Sequence, residues 1–382
     1  MTRQPALMAS HPYDSHTEER GMLLDAAERA FADLCTQEVI TRAEQGEWPA
    51  ALWQSLEDLG FTRAVLPAAA GGSEFDLADA MRLVRVAARH AVPAPLGETI
   101  LAAWCLHVAG FEVPEGPLAF ATGSPPSAAL CLSRPSADQG FWQLDGTLRN
   151  LPWAEQTRAL MLLLPSDEGL QVLCLPLDHA HMRTRRNLAG EPRGELTFQA
   201  LRLDDAAVRP WPASAPRIDH ASPAVVLGAL LRGQQLAGAL ERVRDLAVRY
   251  ASERIQFGKP LNKLPAVQQN LAIVAGQSAA AIVAADMALD ALSQPDADLT
   301  NAVALAKIRA GDAVDLAARL AHQVHGAMGF TYEHQLHLYT RRLWAWRDEC
   351  GHERYWAKLI GQRIAAQGAD ALWPFVTQVA QL

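Results

Sequence analysis

The stretch Arg249-Tyr250-Ala251-Ser252-Glu253-Arg254-Ile255-Gln256-Phe257-Gly258-Lys259-Pro260-Leu261, followed closely by Ala266-Val267-Gln268, decides how the chain is read. It closes an Ala/Leu/Val-rich segment that begins at Ala224 and predicts a helix to Ser252. Gly258 is a helix stop and permits a turn at Lys259-Pro260. Two segments of the same texture follow, Pro265 to Leu292 and Leu299 to Met328. Their apolar faces are broad, which predicts helices buried on several sides, as in a bundle.

Working back toward the N-terminus, the texture changes between Pro117 and Pro216. Short apolar runs, Ala128–Leu132, Ala159–Leu164 and Leu170–Leu175, alternate with Pro, Gly, Ser and Asp clusters, and Leu196, Phe198, Leu201 and Leu203 have strand-like spacing. Before that, Leu23, Ala26, Ala27, Ala30, Phe31 and Leu34 recur at helical steps. Ala51, Leu52, Leu56 and Leu59 do the same until Gly60 stops them. After the Gly71-Gly72 break come helical runs at Leu77 to His90 and from Glu98. The expected organisation is a disordered lead-in at 1–17, an N-terminal helical domain at 18–116, a middle β-barrel or sandwich domain at 117–216 and a C-terminal four-helix bundle at 217–382. The fold class is α+β, multidomain.

Composition narrows the functions. The 382 residues carry 34 Lys plus Arg against 42 Asp plus Glu, a formal charge of −8, which offers no footprint for nucleic acid. Apolar runs such as Ala224–Leu231 fall short of the roughly 20 residues a membrane helix needs, so no membrane partner is expected. Met1–Ser15 has one Arg and no continuous apolar core, so no secretory signal is visible. Five dispersed cysteines without a CxxC pair read as reduced thiols, and a cytoplasmic location is expected. His322-x-x-His325 and His334-x-x-His337 have helix-compatible spacing but no third ligand, so no metal site is expected. No Walker loop or Gly-x-Gly-x-x-Gly is present. Arg183-Thr184-Arg185-Arg186 reads as a solvated turn, with a CoA phosphate as the alternative.

The quoted stretch resembles the signature that opens the C-terminal domain of flavin-dependent acyl-CoA dehydrogenases. Gln323-Val324-His325-Gly326-Ala327-Met328-Gly329-Phe330-Thr331 and its continuation Glu333 to Arg342 resemble the family's second C-terminal signature. Leu66-Pro67 ahead of Gly71-Gly72, Val92-Pro93-Ala94-Pro95 and Trp142 to Thr147 fit its other domains. The resemblance implies FAD as cofactor, an acyl-CoA substrate, an electron-transferring flavoprotein as acceptor, and a homo- or hetero-oligomer with FAD across a subunit interface. It also implies that Arg254, Gln256, Phe257, Gln323, Gly326 and Ala327 bind the cofactor. A planar guanidinium suits a pyrophosphate, Phe257 can pack against a flat ring, and glycine lets the backbone approach the ADP portion. Ala327 replaces a common second glycine.

Two departures follow from the same resemblance. The reaction needs a carboxylate in an apolar cleft to take the α-proton of the thioester while a hydride leaves Cβ for flavin N5. At one family position for that base stands Cys350, and at the other, near Gly228, no acid occurs between His220 and Glu241. Glu349 is the candidate base if the loop is shifted by one residue; unshifted, Asp348-Glu349 reads as a solvated acidic pair. In the middle domain, Ala119 to Ser127 lacks the family's acidic loop. Asn150-Leu151-Pro152-Trp153 replaces a hydroxyl-bearing segment, placing Trp153 either beside a flavin or in the β-domain core. The chain therefore reads as an acyl-CoA dehydrogenase of thioester catabolism. The alternatives are a catalytically incomplete subunit that completes the FAD site of a partner, and a scaffold keeping only the fold.

Overall fold

The computed structural model describes residues 12–121, 130–135, 140–177, 182–216, 218, 221–294 and 298–379. Helices α1 (Pro12–Leu34), α2 (Gln37–Glu44), α3 (Ala50–Asp58), α4 (Leu77–Arg89) and α5 (Leu96–Val108) form the N-terminal layer. Helix α1 starts at Pro12, earlier than the lead-in expected at 1–17; the first eleven of those positions lie outside the described residues. Asp76 caps α4 by accepting from the Asp79 N–H, and Leu77, Met81, Val84 and Ala88 form its buried face at helical steps. Gly72 is obligatory, because a Cβ there would stand 2.0 Å from the Leu66 carbonyl oxygen.

The middle layer is a β-sandwich. One sheet has the order β1 (Leu118–Phe120), β4 (Ala159–Ser166), β5 (Gly169–Pro176), β8 (Val208–Pro210). The other runs β2 (Cys131–Ser133), β3 (Phe141–Pro152), β7 (Pro192–Asp204), β6 (Arg183–Arg186). Trp142, Leu144, Leu148 and Leu196 of one sheet meet Leu160, Leu162, Leu173 and Leu175 of the other in a single core. Arg183–Arg186 is an exposed edge strand paired with β7, not the expected turn; its charges suit an edge that must not pair further. The strand expected from Ala128 is seen at Cys131–Ser133, and 122–129, where the acidic-loop departure falls, lie outside the described residues.

Helices α6 (Pro223–Glu253), α7 (Pro265–Asp290), α8 (Leu299–His325), α9 (Leu336–Asp348), α10 (Glu353–Gln367) and α11 (Leu372–Val379) build the C-terminal layer. Proline at the first turn opens α6 and α7, where a missing N–H costs nothing. Leu236, Leu240, Val243, Val274, Val314, Leu320 and Leu343 fill the bundle core. Pro265–Ser293 is apolar enough, at mean hydropathy 1.6, to match a membrane span by length and composition, which corrects the expectation of short apolar runs only. Within the fold it is a bundle helix against α6 and α8. A two-stranded hairpin, β9 (Ile255–Gln256) and β10 (Lys259–Pro260), links α6 to α7. The N-terminal helices share one continuous core with α6, α8 and α10, in which Leu83, Ile100 and Leu101 meet Val226, Leu230, Val303 and Trp356. All three layers therefore converge on the first half of α6.

Candidate functional site

Two places collect the residues singled out in the sequence. The first is an open groove where α6 and α8 end. Arg254 caps α6, its N–H donating to the Tyr250 carbonyl at 2.9 Å and its carbonyl accepting from the Leu261 N–H at 2.9 Å. The hairpin then turns through Phe257 (φ 53) and Gly258 (φ 74), leaving Phe257 87% exposed. On the other wall α8 stops at Gly326, with φ 60, whose N–H donates to the His322 carbonyl. Leu261, Ala251 and Val324 pack beneath and fix the two ends against each other. The groove between them holds about 460 Å³ and is lined by Arg254, Gln256, Gln323, Gly326 and Ala327, with Tyr250 and His325 behind. Tyr250 and His325 stack at 4.5 Å, and the imidazole Nδ1 donates to the Ala321 carbonyl at 2.7 Å. Five of the six residues implied as cofactor ligands thus line one groove, and Phe257 stands exposed at the neighbouring hairpin tip.

The second place is the junction of the three layers, where both base positions fall. Arg232 lies one helical turn beyond Gly228, and Glu349 directly precedes Cys350. These two side chains meet: Arg232 Nε and Nη2 donate to Glu349 Oε2 at 2.8 and 2.7 Å. Arg232 Nη1 also pairs with Glu98 Oε1 at 2.8 Å. From the opposite side Arg193 Nε and Nη2 donate to Glu349 Oε1 at 3.0 and 2.5 Å, and Arg193 Nη2 reaches Glu191 at 2.9 Å. Trp346 Nε1 donates to Glu191 at 3.1 Å. Only about 20 Å³ remains open among Glu98, Trp153, Glu191, Arg232 and Trp346, room for roughly one water. The walls are tight as well, since a Cβ on Gly97 of α5 would come within 2.6 Å of Leu231. No acyl chain or aromatic ring system enters such a space.

The electrostatics of Glu349 oppose a proton-accepting role. Burial alone would push its carboxyl up, but the guanidiniums of Arg193 and Arg232 outweigh burial and hold it down at about 2. A carboxylate gripped by two arginines takes a proton reluctantly, whereas the reaction needs a base raised toward neutrality. This corrects both sequence expectations for Glu349: it is neither a poised base nor part of a solvated pair, being 20% exposed in its side chain. Cys350 is buried with φ 56, and Gly228 is buried in α6. Trp153 is likewise corrected as a cofactor ligand. It is 7% exposed, edge-on to Trp48 at 6.5 Å, and lines the closed junction instead of the groove.

Arg193, Glu98, Glu191 and Arg232 were missed in the sequence, yet two of them carried a signal. Arg232 is the one charged residue within the apolar run from Ala224 to Leu240, and Glu98 is the one carboxylate within the buried face of α5. Such lone charges on apolar helices require partners across the core.

The family model described as acyl-CoA dehydrogenase, N-terminal domain, matches residues 17–112, and the one described as acyl-CoA dehydrogenase, C-terminal domain, matches 224–364; together they span more than half of the chain. The chain belongs to the acyl-CoA dehydrogenase family, whose members are oxidoreductases and FAD flavoproteins. It is similar to acyl-CoA dehydrogenase IpdE2 of Mycobacterium tuberculosis (strain ATCC 25618 / H37Rv), 29% identical over 334 residues, which is 85% of this chain and 91% of that protein. Among solved structures it resembles a chain of the ChsE4-ChsE5 complex of Mycobacterium tuberculosis, with TM-score 0.79 and 20% identity over 91% of this chain and 97% of that one. It also resembles a chain of a Tcur3481-Tcur3483 steroid ACAD variant, with TM-score 0.81 and 21% identity over 92% and 99%.

The groove fits one end of FAD. A guanidinium, two side-chain amides and glycine-exposed backbone are the chemistry that holds a pyrophosphate and a nucleoside. The junction, where the resemblance puts the reaction, does not fit the other end, because its space is filled by paired side chains.

Proposed function

We propose that this chain is the catalytically incomplete subunit of a heteromeric acyl-CoA dehydrogenase. It lends Arg254, Gln256, Phe257 and Gln323 to an FAD whose reactive ring lies in a partner chain of the same fold. The partner also carries the carboxylate base and takes the acyl-CoA thioester. One observation carries this reading: Glu349, the acid adjoining the Cys350 base position, is engaged by Arg193 and Arg232 inside a closed junction, while the nucleotide-facing residues line an open groove. Two of the solved structures it resembles carry two-component names, which supports the same reading. The self-sufficient alternative requires Glu349 to leave both arginines and the cleft to open by the volume of a flavin ring.

Co-expression with an acyl-CoA dehydrogenase chain from the same source that carries a carboxylate at the base position tests the proposal. The two chains are expected to co-purify with flavin absorbance, and Arg254→Ala in this chain is expected to lower flavin occupancy of the assembly. A chain that purifies alone, yellow, and reduces a dye with acyl-CoA refutes it.

A further inference from the structure

The charges at the junction extend further than the four residues around Glu349. Arg342 Nη1 and Arg341 Nη1 pair with the two oxygens of Glu44 at 2.8 and 2.9 Å, and Arg342 Nε approaches Glu191 at 3.8 Å. Four carboxylates, Glu44, Glu98, Glu191 and Glu349, thus face four guanidiniums, Arg193, Arg232, Arg341 and Arg342, in one connected chain of contacts. The set is balanced, so none of its cations stands ready for a phosphate or carboxylate ligand. Most of the pairs cross between layers. Arg232 on α6 reaches Glu98 on α5, Arg193 on β7 reaches Glu349 after α9, and Arg341 and Arg342 on α9 reach Glu44 on α2. Lys307 on α8 secures the centre from below, its Nζ donating to the carbonyls of Trp346, Arg347 and Glu349 at 3.2, 3.1 and 2.9 Å.

We infer that this buried charge chain is a latch that ties the N-terminal, middle and C-terminal layers together where a ligand would otherwise bridge them, with Arg232 as its keystone. A buried ion-pair network is weak evidence for net stability against an apolar core of the same shape. Its distinctive property is directional: each interlayer pair is satisfied only when two layers stand in one relative position, and removing one member leaves a buried charge on another layer. The latch accordingly makes the layers open and close as a unit without any bound cofactor. It does so whether or not a partner chain is present.

Hydrogen exchange on the purified full-length chain tests it. Arg232→Met keeps an unbranched apolar stem, removes the charge and vacates the space of the guanidinium. It is expected to speed exchange more than about tenfold in three separated segments at once: the start of α5, the start of β7 and the 349–351 loop. Guanidinium chloride at millimolar concentration, far below denaturing levels, is expected to restore protection by refilling the vacated site, whereas methylammonium chloride is not. Faster exchange confined to α6 overturns the latch. If Arg232→Met yields no folded chain, Glu98→Gln serves the same test, since it loosens only the link between α5 and α6. Loss of protection in α5 alone with that variant also overturns coupling among the layers.

Discussion

Glu349→Gln provides the most quantitative test of the junction. The amide keeps the shape of the side chain but removes the charge shared by Arg193 and Arg232, each of which keeps one carboxylate, Glu191 and Glu98 respectively. Breaking a buried pair costs about 3–5 kcal/mol, and the surviving partners place this case near the lower end, about 3 kcal/mol. The depressed carboxyl leads to a figure of the same size. The carboxyl sits near 2 in the folded chain against 4.5 ordinarily, and that difference corresponds to about 3 kcal/mol. Because the folded value is the depressed one, this stability is fully present above pH 4.5 and lost as pH falls from there toward 2. Denaturant midpoints of wild type and variant should therefore differ at pH 7 and converge on acidification, other carboxylates cancelling in the difference. Equal midpoints at pH 7, or curves that stay parallel down to pH 3, would refute the account of Glu349 as a clamped anion.

Further outcomes follow from other contacts. Trp153→Ala should cost about 3–5 kcal/mol through the lost core volume while leaving the flavin content of an assembled complex unchanged, read by denaturation and absorbance together. A fall in flavin content instead would place Trp153 at the cofactor. Gln323→Ala should weaken FAD retention in the same complex about tenfold, the loss of roughly one hydrogen bond to a charged or polar ligand atom, measured by flavin release on dilution. Lys307 is held down at about 8, chiefly by burial, so the unfolded chain keeps a proton that the folded one releases. Stability should rise between pH 8 and about 10, and Lys307→Met should abolish that rise in the difference between the two melting curves.

The C-terminal bundle was legible because its helices carry their own punctuation. Proline opens α6 and α7, Gly258 and Gly326 mark turns after their helices, and the two signature blocks sit at helix ends where backbone donors are open. The groove followed, since α6 and α8, joined through the intervening α7, end on the same side of the bundle, where their C-terminal residues meet. The junction was not legible in the same way. Its eight charges come from α2, α5, α6, β7 with the residue before it, and α9 with its following loop, and no local pattern tells which of them meet. Glu349 was placed by counting from a motif, which gives its position along the chain but not the two arginines that decide its protonation. The edge strand at Arg183–Arg186 was misread for a related reason: its partner β7 supplies its ladder, and its own composition resembles a loop.

The hairpin tip has a consequence for how the chain must be made. Phe257 is held outward by a backbone conformation that bulky residues seldom adopt, and Ile255, Phe330 and Tyr332 stand exposed nearby in the sequence of the same two blocks. Oily side chains kept facing water in this way invite mispairing with whatever apolar surface arrives first. On the heteromeric reading proposed above, a cell producing such a chain does best to make the companion in equal number and at the same time, since any surplus copy is left with an adhesive face and nothing to cover it.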